Sequence, residues 1–85
     1  MINIEWSDFG TGKNAYADSK KILINNLNHH FCVDYSFERK CFRVGMYNHE
    51  HHQMLLRYNF KNVEAAKDYA VLFINRFNRM LTEEV

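Results

Sequence analysis

Apolar and polar residues alternate from the first position: Ile2, Ile4 and Trp6 against Asn3 and Glu5, the two-residue period of a half-buried strand. "SDFGTGK" breaks the alternation with Gly10 and Gly12. From about Asn14 to Asn28 the spacing becomes helical. Tyr16, Leu23, Ile24 and Leu27 share a face while Lys20, Lys21 and Asn25 lie elsewhere, although the paired asparagines weaken this helix. Three alternating runs follow. "FCVDYSFE" turns Phe31, Val33, Tyr35 and Phe37 to one side, and "KCFRVGMY" does the same with Phe42, Val44 and Met46. "QMLLRYNF" does so with Met54, Leu56, Tyr58 and Phe60. Short connections make these runs an antiparallel meander. The chain closes with the clearest helix, about Val63 to Leu81. Its stripe is Val63, Ala66, Ala70, Phe73, Ile74, Phe77 and Leu81, with Asn62 as N-cap and Glu64 in the first turn. The pattern therefore predicts an α+β two-layer sandwich in the order β-α-β-β-β-α, with Phe42, Val44, Leu56, Phe73 and Phe77 among the most buried residues.

At 85 residues the chain suits a single domain with one modest core. An apolar fraction of 47% excludes a disordered chain. Two cysteines, Cys32 and Cys41, are too few for a disulfide scaffold, and "MINIEW" lacks the basic and apolar regions of a secretory signal. No apolar run is long enough to cross a bilayer, so the expectation is a cytoplasmic protein with reduced thiols and no membrane partner. The formal net charge is +1, unevenly spread. Positions 32–61 hold five Lys or Arg against three acids, and positions 62–85 hold three against four. This is weak encouragement for a polyanion partner.

The densest chemistry is "NHEHHQ", which sets His49, His51 and His52 around Glu50. A zinc site needs about four N or S ligands at fixed spacing. No C-x-x-C or H-x-x-x-H pattern supports His49, His51, Cys32 or Cys41 in that role, so the stretch reads as a polar hairpin tip. Neither a metal nor any other cofactor is expected. Catalysis would require a nucleophile beside an oriented base, and Cys32 and Cys41 qualify by residue type alone. "GTGK" lacks the upstream glycine and following Ser or Thr of a phosphate-binding loop. With no paired carboxylates either, the chain reads as a non-enzyme.

From Val33 to about Phe73 the local details are more specific. Lys40-x-Phe42-Arg43-Val44 in the second run, then Phe60-x-Asn62-x-Glu64-Ala65-Ala66 and Tyr69, resemble the apetala-type (ethylene-response-factor) DNA-binding domain and the similar arm-binding domains of phage integrases. The resemblance implies a three-strand-plus-helix unit whose sheet face lies in the DNA major groove, with Arg43, Tyr47 and Arg57 as contacts and Arg39 nearby. Here the family's third-strand glycine is absent and its second-strand tryptophan is Phe42. The order helix, three strands, helix is also similar to the double-stranded-RNA-binding fold. That family's basic cluster is reduced here to Lys61 and Lys67, with Glu64 between them.

Phosphate contacts supply much of nucleic-acid affinity, and the expected sheet face mixes Arg43 and Arg57 with Asp34 and Glu38. Charge therefore favours a protein or nucleoprotein target over nucleic acid. In size and lack of motifs the chain is similar to phage proteins that block bacterial defence complexes, the anti-CRISPR proteins among them. The expected function is a small protein-binding inhibitor or adaptor, with an apetala-like nucleic-acid-binding domain as the alternative. Arg39, Arg43, Tyr47, Leu55 and Arg57 form the expected binding surface, because Tyr and Arg dominate interface hot spots.

Overall fold

A computed structural model describes residues 1–83, with side chains as far as Met80. Six strands among them form one antiparallel sheet: β1 (Trp6–Phe9), β2 (Tyr16–Ser19), β3 (Ile22–Ile24), β4 (Leu27–Ser36), β5 (Cys41–Tyr47) and β6 (Gln53–Phe60). A single helix, α1 (Val63–Glu83), packs across β4, β5 and β6. The spatial order is β1-β2-β4-β5-β6, with β3 continuing along the β4 edge beyond β2. The architecture is α+β in two layers, as the periodicity predicted, with the three long strands and the last helix, expected over about 31–81, in place.

The helix expected over 14–28 is not formed. Its place is taken by a 3-10 turn (Gly12–Asn14) and by β2 and β3, which together make one long strand with a break at Lys20 and Lys21. Ser19 patches the break by accepting the Phe31 N–H on its Oγ at 2.7 Å. Asn25 and Asn26 then close a two-residue hairpin between Ile24 and Leu27 with φ of 52° and 63°. Positive φ at both central residues defines the type I′ turn, for which asparagine is one of the few tolerant residues. Turn chemistry thus overrode a spacing that fits either element. The first strand is also displaced. Positions 1–5 carry no strand pairing, yet Ile2, Ile4 and Trp6 do pack against the core, so the alternation identified the inward side.

The register lines up cross-strand rows. On the helix side run Ala17–Val33–Val44 and Phe31–Met46, of which Met46 is the most exposed at 3%. Ala66, Ala70 and Ile74 of α1 are fully buried against them. The two alanines, one turn apart, let the helix backbone approach the sheet, and Ile74 fills the space beyond. Phe42 and Val44 are buried as expected. Leu56, Phe73 and Phe77 are only partly so, because the axis of the stripe runs through Ala66, Ala70 and Ile74 and leaves the phenylalanines on its flank. Phe37, expected inward, is 64% exposed because β4 ends at Ser36 and the chain turns there. The side chain of Leu81 lies outside the described residues. Asn62 caps the helix as predicted, its Oδ1 accepting the Ala65 N–H at 2.8 Å.

Candidate functional site

With no helix over 14–28, nothing among the described residues covers the sheet face opposite α1. Three rows of side chains cross it. The middle row is Asp18–Cys32–Gly45–Leu55; on one side lies Asp34–Arg43, and on the other His30–Tyr47–Gln53. Two shallow clefts of about 380 and 250 Å³ lie along this face and share Cys32, Asp34 and Gln53. Gly45 forms part of the floor. A Cβ there would meet the Met54 carbonyl oxygen at 3.2 Å and Gln53 Nε2 at 3.3 Å, so the glycine lets β6 lie close.

Three of the five expected surface residues share this face. Arg43 donates to both carboxylate oxygens of Asp34, at 2.7 and 3.3 Å, which neutralises its charge locally. Tyr47 stacks on the His30 ring, with centroids 4.7 Å apart and planes 6° from parallel. Leu55 is 49% exposed. Arg39 lies in the β4–β5 turn, its guanidinium 4.1 Å from the centre of the Tyr58 ring.

Arg57 is on the other side. The first of two one-residue register shifts between β5 and β6, between Leu55 and Arg57, puts it opposite Val44, in the helix-facing row, and its guanidinium reaches the rings of Phe60 and Tyr69. Strict alternation had predicted the opposite face, because each bulge inverts the in–out pattern beyond it. A positive φ of 76° at Asn59 marks the second shift, which returns Phe60 to the helix-facing row opposite Phe42.

The thiol of Cys32 donates to Asp18 Oδ1 at 3.1 Å. Burial, and then this bond to a carboxylate, pushes the thiol up to about 12. Cys32 is therefore a protonated hydrogen-bond donor at neutral pH and not a nucleophile. Burial likewise depresses the imidazole of His30; Asp18 opposes the shift, while His51 and Lys21 add to it.

The histidine stretch forms the β5–β6 hairpin tip. Asn48 organises it by accepting the Glu50 and His52 N–H groups on Oδ1 at 2.9 and 3.0 Å, and His51 turns the chain with φ 63°. Glu50 lies between His49 and His52, 3.7 and 3.6 Å away. Among the described residues no group of three His, Cys, Asp or Glu side chains is placed to hold a metal ion. No helix among them is long and apolar enough to cross a membrane. Comparisons with protein-family models, curated proteins and solved structures return no match.

Proposed function

We propose that the chain is a non-enzymatic protein-binding module, a small inhibitor or adaptor of the anti-defence kind acting in a reducing cytoplasm, and that the open sheet face is its working surface. The observation that carries this reading is the uncovered middle row ending in a half-exposed Leu55, beside the stacked pair Tyr47–His30. An aromatic and a leucine on a rigid sheet make a low-entropy contact surface. The polar groups around them are already matched: Arg43 with Asp34, Cys32 with Asp18. Such a face presents little net charge, which suits a protein partner better than a phosphate backbone.

The apetala-like alternative places Arg39, Arg43, Tyr47 and Arg57 on DNA. It is weakened for this face because Arg43 is paired and Arg57 points to the helix side. Affinity capture from cells that express the protein, with protein and nucleic acid quantified separately, tests the choice. Tyr47→Ala or Leu55→Asp should release the captured protein, a loss of about 2 kcal/mol or more. Arg57→Ala should leave it bound. Retention of every captured component by both open-face variants would remove this face from consideration.

A further inference from the structure

The topology sorts the cations. The 3-10 turn after β1, the β4–β5 turn and the β6–α1 junction all lie at one end of the sheet, because β1, β4 and β6 run in the same direction. There Lys13, Arg39, Lys40 and Lys61 line a cleft of about 410 Å³ that no carboxylate lines. Among the described residues none of the four is ion-paired. Lys13 and Arg39 instead lie over the rings of Tyr35 and Tyr58, at 5.7 and 4.1 Å. These four are drawn from eleven Lys and Arg in a chain of net charge +1, so the remainder of the molecule is net acidic by three. The concentration is local, which is why the overall charge gave no hint of it.

The floor of the cleft is aromatic. Tyr35 and Phe60 line it, and Phe37, 64% exposed, packs edge-on against Tyr35 at 5.0 Å. Unpaired cations beside the exposed ring of Phe37 match one ligand chemistry: phosphates joined to flat bases. An acidic peptide would use the cations and leave the rings idle. Duplex DNA would hide its bases from them. We propose that this end of the sheet binds a short single-stranded nucleic-acid segment, with Lys13, Arg39, Lys40 and Lys61 on phosphates and Phe37 stacking a base. Lys13, Tyr35 and Phe37 also border the larger cleft of the open face, but Tyr47 and Leu55 do not line this one, so the proposal does not depend on the reading of that face.

Fluorescence anisotropy with a labelled oligothymidylate about a dozen nucleotides long tests it. Four phosphate contacts to a single strand give a slope of log affinity against log salt of about −3, so affinity should fall about fiftyfold between roughly 50 and 200 mM salt. Lys13→Glu combined with Lys61→Glu, both exposed, should weaken binding at least tenfold (~10×) and flatten that slope. Phe37→Ala should weaken binding about tenfold while leaving the slope unchanged. Lys21→Glu, at the far end of the sheet, is the control for net charge, set against Lys61→Glu alone. Absence of binding at the lowest salt would overturn the proposal. So would equal weakening by Lys21→Glu, or equal competition by polyglutamate or by a duplex of the same length. Capture of protein through Tyr47 and Leu55 is a separate readout, so either site can fail without the other.

Discussion

Cys32 shows how one neighbour sets the chemistry of a side chain. Its register partner is Asp18, and the two meet on the open face as thiol donor and carboxylate acceptor. With the thiol held near 12, only about one molecule in 10⁴ carries the thiolate at pH 8. Alkylation of Cys32 by iodoacetamide at pH 8 should therefore be orders of magnitude slower in the folded protein than in urea, and peptide mass spectrometry would report it. Comparable rates in the two states would show that the bond to Asp18 does not persist. The linkage has a sign. Above about pH 9 the unfolded chain releases this proton and the folded one keeps it, so stability falls with rising pH up to about 12. His30 acts at the other extreme. Its folded imidazole is depressed, so below about pH 6.5 the unfolded state takes up the proton first and stability falls as pH falls. His30→Phe keeps a ring on Tyr47 and removes that proton. Melting temperatures between pH 7.5 and pH 5.5, both ordinary (~1 unit) distances from the His reference, should show a shallower acid slope in the variant.

At the scale of elements, the sequence was most legible where one face is buried and the other wet. β4, β5, β6 and α1 have that character, and their periods placed them within a few residues. The stretch 14–28 lacks it. Ile22, Leu23 and Ile24 are consecutive, and with Leu27 they satisfy helical spacing as well as a short strand. The deciding information lay in Asn25–Asn26. The same pair gives opposite expectations for mutation. In a helix Asn26→Gly would cost a few tenths of a kcal/mol or more, about 0.5. In a type I′ turn it should be neutral or stabilising, while Asn26→Val at φ 63° should cost about 1–3 kcal/mol. Denaturant unfolding of the two variants separates the cases. Within α1 the helical period was right and its centre was not. Ile74→Ala should cost about 3–4 kcal/mol, more than Phe73→Ala, whose ring sits partly exposed between Tyr69 and Phe77. Arg57 fails for a different reason. A bulge carries no residue signature strong enough to read beforehand, and the one between Leu55 and Arg57 moved it from the open face to the helix side.

Across the whole molecule, periodicity has nothing to say about what joins the first residues to the last helix, since those bonds are made by single polar side chains far apart in sequence. Residues 1–5 have no strand partner, yet they are fixed. The Ile2 N–H donates to Asn75 Oδ1 at 2.7 Å, and Asn75 Nδ2 donates to the Ile2 carbonyl at 3.0 Å and to that of Val71 at 2.8 Å. The amide side chain thereby takes the place of a neighbouring strand. One turn-pair earlier on the helix, Lys67 is 8% exposed, bonds Asp8 and Glu64, and lies over the Trp6 ring. Burial works against its charge, but the two carboxylates outweigh that and hold the ammonium above its ordinary value. Those carboxylates are themselves solvated, so Lys67 contributes position more than energy. Asn75 has the larger task, because it alone satisfies both backbone groups of Ile2 among the described contacts. Asn75→Leu keeps the volume and removes three hydrogen bonds, at a net cost of about 1–2 kcal/mol for a partly buried site. In a domain of this size that lowers the melting temperature by roughly 4–16 °C. Hydrogen exchange should localise the loss. The Ile2 amide should exchange faster, and so should that of Lys20, which donates to the Glu5 carbonyl at 2.9 Å and depends on the same segment staying down. Amides of β4 and β5, at the centre of the sheet, should slow or quicken only with global stability. A uniform acceleration across all strands would mean that Asn75 supports the fold as a whole, and that the first five residues are held by the apolar contacts of Ile2, Ile4 and Trp6 alone.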